Sequence, residues 1–103
     1  MVTIASNYRG GGGEIDLILL DGDTLVFAEV RLRRNRRFGT AAHSVDARKQ
    51  VRLLNAARAY LREHDAASRH PCRFDVIAYN DRPDATDTPL WIRGAFDGTG
   101  QTF

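Results

Sequence analysis

Asp16 and Glu29 are carboxylates set in stretches that otherwise read as apolar strands, Glu14–Leu20 and Thr24–Leu32. Alternation puts Glu14, Asp16, Ile18 and Leu20 on one face, and Leu25, Phe27, Glu29 and Arg31 on one face of the next strand. Whether the two faces coincide depends on the turn. A two-residue Asp21-Gly22 loop, which the Asp-Gly pair favours, sets Asp16 opposite Phe27 and diagonal to Glu29. A four-residue loop ending at Thr24 sets Asp16 directly opposite Glu29, and a three-residue loop separates the two. Either even register leaves the carboxylates about 5 to 7 Å apart at Cβ, close enough to share one metal ion. Ionised groups on an apolar face cost several kcal/mol unless paired, and a divalent cation offsets that cost. The structural alternative is a frayed, exposed strand end with Glu14 or Glu29 paired to Arg31. The opposite faces, Ile15, Leu17, Leu19 and Val26, Ala28, Val30, are wholly apolar, so the hairpin is expected to be covered on both sides.

A helix is predicted from an Asp46 cap to about His64. At helical spacing Leu53, Leu54, Ala57, Tyr60, Leu61 and His64 form one stripe, while Arg48, Arg52, Arg58 and Arg62 gather on the other side. Gln50 falls in the apolar stripe and Lys49 on its border. Either both belong to a solvated helix end, or both point towards the carboxylate site.

The elements that must position these residues are few. Val2–Tyr8 carries a loose β pattern, ended by a turn at the four glycines Gly10–Gly13. Arg33–Ser44 reads as a loop, Arg73–Tyr79 as a strand, Asn80–Pro89 as a second loop and Leu90–Ile92 as a short edge strand. Gly98–Phe103 reads as a flexible tail. The order is strand, hairpin, helix, strand, strand, which is a mixed α/β domain. At 103 residues, 43% hydrophobic and 27% charged, residues 1–103 have room for a single core. No purely apolar run is longer than the four residues of Leu17–Leu20, far too short to cross a membrane, and the lone Cys72 fits a reducing, cytoplasmic setting.

The formal net charge of +2 hides a division. Residues 1–30 hold Arg9 against five carboxylates, whereas residues 31–73 hold twelve bases against Asp46, Glu63 and Asp65. All the bases except Lys49 are arginine, whose planar fork matches phosphate oxygens in pairs. The cluster Arg31, Arg33, Arg34, Arg36 and Arg37 is either a solvated loop or a phosphate-binding surface. Other constellations carry less. The glycine run lacks the Lys-Ser/Thr of a phosphate loop, His64, His70 and Cys72 lack a fourth zinc ligand, and His43 beside Ser44 has no elbow motif. Asp75 is expected to support the fold by pairing with Arg73 or a nearby loop.

The strings Asn7-Tyr8-Arg9, Gly13-Glu14-Ile15-Asp16-Leu17-Ile18 and Asp21 through Arg31, followed by Asp46, Lys49, Gln50, Cys72-Arg73-Phe74-Asp75-Val76, Trp91-Ile92 and Ala95-Phe96, resemble the YraN-like family of bacterial proteins. That family is similar to the PD-(D/E)xK superfamily, whose restriction-endonuclease-like fold is shared with archaeal Holliday-junction resolvases. The resemblance covers residues 4–96. It implies a restriction-endonuclease-like α/β fold, a mixed central sheet of about five strands with one main helix packed on it. It also implies that Asp16 is the superfamily aspartate, that Glu29-Val30-Arg31 is its (D/E)xK element, and that Lys49 and Gln50 are the helix contribution.

Two departures stand out. Arg31 replaces the usual lysine; it stays charged and can stabilise phosphorane charge but cannot act as a general base, a role Lys49 could take. The family's usual first helix, with its further glutamate, is missing from the sequence, so one sheet face is expected to lie open or to be covered by a partner or a second copy.

The function implied is a Mg²⁺- or Mn²⁺-dependent endonuclease acting on DNA, branched or damaged DNA by analogy with resolvases. Asp16, Glu29 and the Val30 carbonyl would hold the metal, and Arg31, Lys49 and Gln50 would complete the catalytic set. Glu14 would be a supporting residue, and Arg33, Arg34, Arg36, Arg37, Arg48 and Arg52 would bind flanking phosphates. The alternatives are a non-catalytic nucleic-acid-binding module and a protein-interaction subunit.

Overall fold

The computed structural model describes residues 1–33, 46–80 and 89–96. The expected loops over 34–45 and 81–88 and the tail lie outside the described residues. Five strands, β1 (Val2–Gly10), β2 (Gly13–Asp21), β3 (Thr24–Arg33), β4 (Cys72–Asn80) and β5 (Leu90–Phe96), form one sheet in sequential order. The pairings β1–β2, β2–β3 and β4–β5 are antiparallel, and β3–β4 is parallel. The parallel step requires a crossover, and helix α1 (Ala47–Glu63) lies in it, followed by a 3-10 helix over Asp65–Arg69. The expected α/β architecture, a five-stranded mixed sheet with one main helix, is the one observed, and it is compatible with a restriction-endonuclease-like core.

The core lies mainly between sheet and helix, where Ile15, Ile18, Leu25, Phe27, Phe74, Val76 and Phe96 pack against Leu53, Ala56, Ala57 and Tyr60. The buried stripe of α1 is Gln50, Leu53, Ala56, Ala57, Ala59 and Tyr60. This corrects the expected stripe. Leu54 and Leu61 are only half-buried at its edge, and His64 is exposed, its ring stacked on Tyr60 at 4.1 Å. Small Ala56 and Ala59 let the helix approach the sheet closely, which rotates the contact face towards them.

The second face of the sheet carries a smaller buried cluster, Leu19, Val26, Ala28 and Ile77, with Leu17 and Trp91 packed against it. The hairpin is thus covered on both sides at its centre, as its two apolar faces led one to expect: Val26 and Ala28 are fully buried. Beside this cluster Asp75, also fully buried, accepts hydrogen bonds from Arg73 Nε (3.0 Å), Trp91 Nε1 (2.7 Å) and the Gly94 amide (3.0 Å). Arg73 continues to Asp21 at 2.9 Å, holding that carboxyl below its ordinary range through the hydrogen bond between them. The supporting role expected of Asp75 is confirmed and extended. Gly94, at φ 58°, absorbs the irregularity in the β4–β5 register, and β5 runs past the expected Ile92 because Phe96 stacks on Phe74 at 5.0 Å.

Two local departures shape the site. The β2–β3 turn is two residues long but consists of Gly22-Asp23, closed by the Asp21–Thr24 pair, rather than the favoured Asp21-Gly22. Gly22 takes φ 60°, which an Asp at that position would adopt only with strain. The register is consequently the one that runs Asp16 towards Glu29. Strict alternation also fails in β2: Ile15 and Ile18, three apart, both face the helix, and so do their partners Tyr8 and Ala5 on β1. Asn7, between those partners, has φ 53°, so the strand pair twists at this point and Ile15 leaves the face it shares by alternation with Leu17 and Leu19.

Candidate functional site

The β2–β3 ladder ends at the Leu17–Ala28 pair, although both strands continue. Beyond it the Val30 amide donates to Asp16 Oδ2 at 2.8 Å, so a side chain takes the place of a ladder carbonyl. This divergence opens the sheet edge-on and holds Asp16 beside Glu29. Glu29 is 3% exposed, and the sequence offers no uncharged reason to bury it.

Helix α1 supplies the countercharge. Asp46 caps it, accepting from the Lys49 amide at 2.9 Å, which fixes the first turn. From that turn Lys49 Nζ reaches Glu29 Oε1 at 2.6 Å, and Arg31 Nη1 stands at 3.9 Å from the same oxygen. Burial pushes the Glu29 carboxyl above its ordinary range; the hydrogen bond from Lys49 opposes this, and the neighbouring Asp16 reinforces it by like charge and hydrogen bonding. Gln50, on the same turn, is buried, which excludes the solvated-end reading for it.

Asp16, Glu29, Arg31 and Lys49 are thus brought together as expected, with Val30 and Gln50 on the same elements. Glu14 is not part of the group: it is exposed and paired with Arg9 at 3.5 Å, because the twist after Tyr8 carries the start of β2 outward. Arg48 and Arg52 are exposed on α1 and line a cleft of about 820 Å³ whose other wall is the β1–β2 glycine turn. The side chain of Arg33, and Arg34, Arg36 and Arg37 altogether, lie outside the described residues. Sequence reading passed over Arg9 in that cleft; its signal was its place directly before the glycine run.

Among the described residues no group of three or more His, Cys, Asp or Glu converges. Asp16 Oδ2 accepts from the Val30 amide, Glu29 Oε1 pairs with Lys49, and the two carboxylates lie within hydrogen-bonding reach of each other, so both present oxygens to one place. Two carboxylate oxygens, supplemented by water, suit Mg²⁺, which keeps several waters and rarely takes an all-protein cage. The donor set therefore fits a hard divalent cation.

An α/β domain with a diverging central hairpin and an Asp-Glu-Lys set around a buried glutamate is the class that fold and site define. Residues 1–79 match the model of the family described as "Uncharacterised protein family UPF0102". A UPF0102 protein of Stutzerimonas stutzeri is 50% identical over 91 residues, covering 88% of this chain and 75% of the relative. One of Pseudomonas syringae pv. syringae is 49% identical over 94 residues (91% and 76%), and one of Pseudomonas aeruginosa 44% over 99 residues (94% and 78%). The chain belongs to the UPF0102 family, in agreement with the YraN-like resemblance of its motifs. Among the described residues no helix is long and apolar enough to cross a membrane.

Proposed function

We propose that this chain is a metal-dependent endonuclease of the PD-(D/E)xK type, hydrolysing phosphodiester bonds in DNA. The observation that carries the reading is the buried Glu29 carboxyl, flanked by Asp16 and held by Lys49 at 2.6 Å. Two adjacent carboxylates in a partly apolar site repel each other and are costly to the fold, whereas hydrolysis of a phosphodiester uses such a pair to hold a metal.

Asp16 and Glu29, with the Val30 carbonyl, would hold Mg²⁺ or Mn²⁺, and the ion would supply Lewis-acid stabilisation of phosphate charge and lower the pKa of an attacking water. Lys49 and Arg31 keep positive charge at the carboxylate pair, where negative charge develops on the phosphate in the transition state. Arg31 stays protonated throughout, so any proton transfer by a basic side chain falls to Lys49. Gln50, buried on the turn that carries Lys49, positions that turn. The arginines of the 31–37 segment and Arg48 and Arg52 contribute salt-dependent, sequence-independent attraction to the backbone.

The test is cleavage of supercoiled and branched DNA with Mg²⁺ or Mn²⁺ by the purified protein beside Glu29→Gln. Metal-dependent cleavage by the former and at least a hundredfold loss in the variant, roughly the effect of removing a principal transition-state contact, support the reading. Folded but equally inactive proteins argue for a nucleic-acid-binding module, and equal activity in both moves the chemistry elsewhere.

A further inference from the structure

The cleft between the β1–β2 turn and α1 lies beside the carboxylate pair and is not needed to hold a metal. Its volume of about 820 Å³ is that of a site for a single small ligand or one stretch of chain. Arg9 enters it from β1, and Arg48 and Arg52 from α1. Its two carboxylates are already engaged, Glu14 with Arg9 and Asp46 with the Lys49 amide. Arg48 and Arg52 have no carboxylate partner among the described residues.

Between Arg9 and Glu14 the facing wall is glycine main chain. A Cβ on Gly13 would collide with the Arg52 carbonyl and one on Gly11 would meet the Asn55 carbonyl at 2.6 Å, so the turn is seated directly on α1. Gly12, by contrast, has nothing within 4 Å of where its Cβ would be, leaving its backbone open to the cleft. Lys49 lines the same cleft while its Nζ rests on Glu29, so one side chain links the cleft to the carboxylate site.

Guanidinium groups facing a wall of glycine main chain suit a phosphodiester chain, whose phosphates take paired N–H donors and whose sugars need close approach. A duplex presents two backbones across a width that a cleft of this size does not enclose. We infer that this cleft binds the backbone of one unpaired nucleic-acid strand next to the bond to be cut, with Arg48 and Arg52 on its phosphates and no metal required. The inference rests on the nuclease reading for the direction in which that strand leads.

Fluorescence anisotropy in EDTA tests it, using a labelled single-stranded oligonucleotide and the blunt duplex of the same sequence across a salt series. The strand is expected to bind more tightly than the duplex. Arg48→Gln and Arg52→Gln, both at exposed positions that leave the fold intact, should each weaken strand binding roughly threefold to tenfold and reduce the salt slope by about 0.7. Unchanged strand affinity in both variants, or a duplex bound as tightly as the strand, overturns the inference. Because binding is read without metal, strand binding by a protein that never cleaves defeats the nuclease reading alone. Cleavage by a protein whose arginine variants bind normally defeats the cleft alone.

Discussion

Lys49 Nζ lies 2.6 Å from Glu29 Oε1, joining the first turn of α1 to the middle of the sheet. Glu29 sits on β3, where the hydrogen-bond ladder to β2 has already ended, and α1 is the element that carries the chain across to β4. The ion pair therefore couples the helix cap to the carboxylate pair, and what disturbs one disturbs the other.

A cation that enters this site should stabilise the fold. Thermal unfolding of the wild type with increasing Mg²⁺ or Mn²⁺ is expected to move upward, by about 2.7 kcal/mol at a hundredfold excess over Kd. Asp16→Asn should abolish the response. A wild-type Tm indifferent to both ions rejects a metal at Asp16 and Glu29.

Glu29 sets a pH dependence. Its carboxyl is raised in the folded state, chiefly by burial, so the folded protein holds that proton more tightly than the unfolded chain. Stability from this group is present below the ordinary value of 4.5 and is lost as pH rises through the higher folded value. In EDTA, Glu29→Gln should accordingly gain in Tm relative to wild type as pH increases from 4.5 to neutrality. A variant Tm that falls relative to wild type over that range contradicts the assignment.

On the other face, Asp75 is fully buried and accepts from Arg73, Trp91 and Gly94. Asp75→Ala strands these donors and should lower unfolding free energy by about 3 to 5 kcal/mol. Urea denaturation measures this, and a loss below about 1 kcal/mol, the size of an ordinary surface change, shows that the network is dispensable.

Gly13 tests whether the β1–β2 turn is seated on α1. Gly13→Ala drives a methyl into the Arg52 carbonyl and is expected to cost about 1 to 3 kcal/mol. A loss within about 0.5 kcal/mol in urea melts, the size of an ordinary surface change, would mean that the turn does not rest on the helix.

Much of this arrangement was legible in the residues. Apolar alternation marked β2 and β3, Asp46 marked the start of α1, and carboxylates within apolar strands marked Asp16 and Glu29. The stripe of α1 was read a little off centre, since alanines carry little hydrophobic signal yet decide how closely a helix can lie on a sheet. Asp75 within the apolar run of β4 hinted at a buried network, but its partner Trp91 comes from a strand sixteen residues away.

The chain's local chemistry by itself determined the elements, their order and the identity of the charged residues, because strand alternation, helix spacing and capping act over a few neighbours. Tertiary structure alone decided where those charges meet. The positive φ at Asn7 breaks the alternation of β1 and β2, the Gly22-Asp23 turn selects the register, and the crossover helix delivers Lys49 to Glu29. The meeting of Lys49 with Glu29 depends on packing between segments far apart in sequence, where burial and register, rather than local preference, set the free energy.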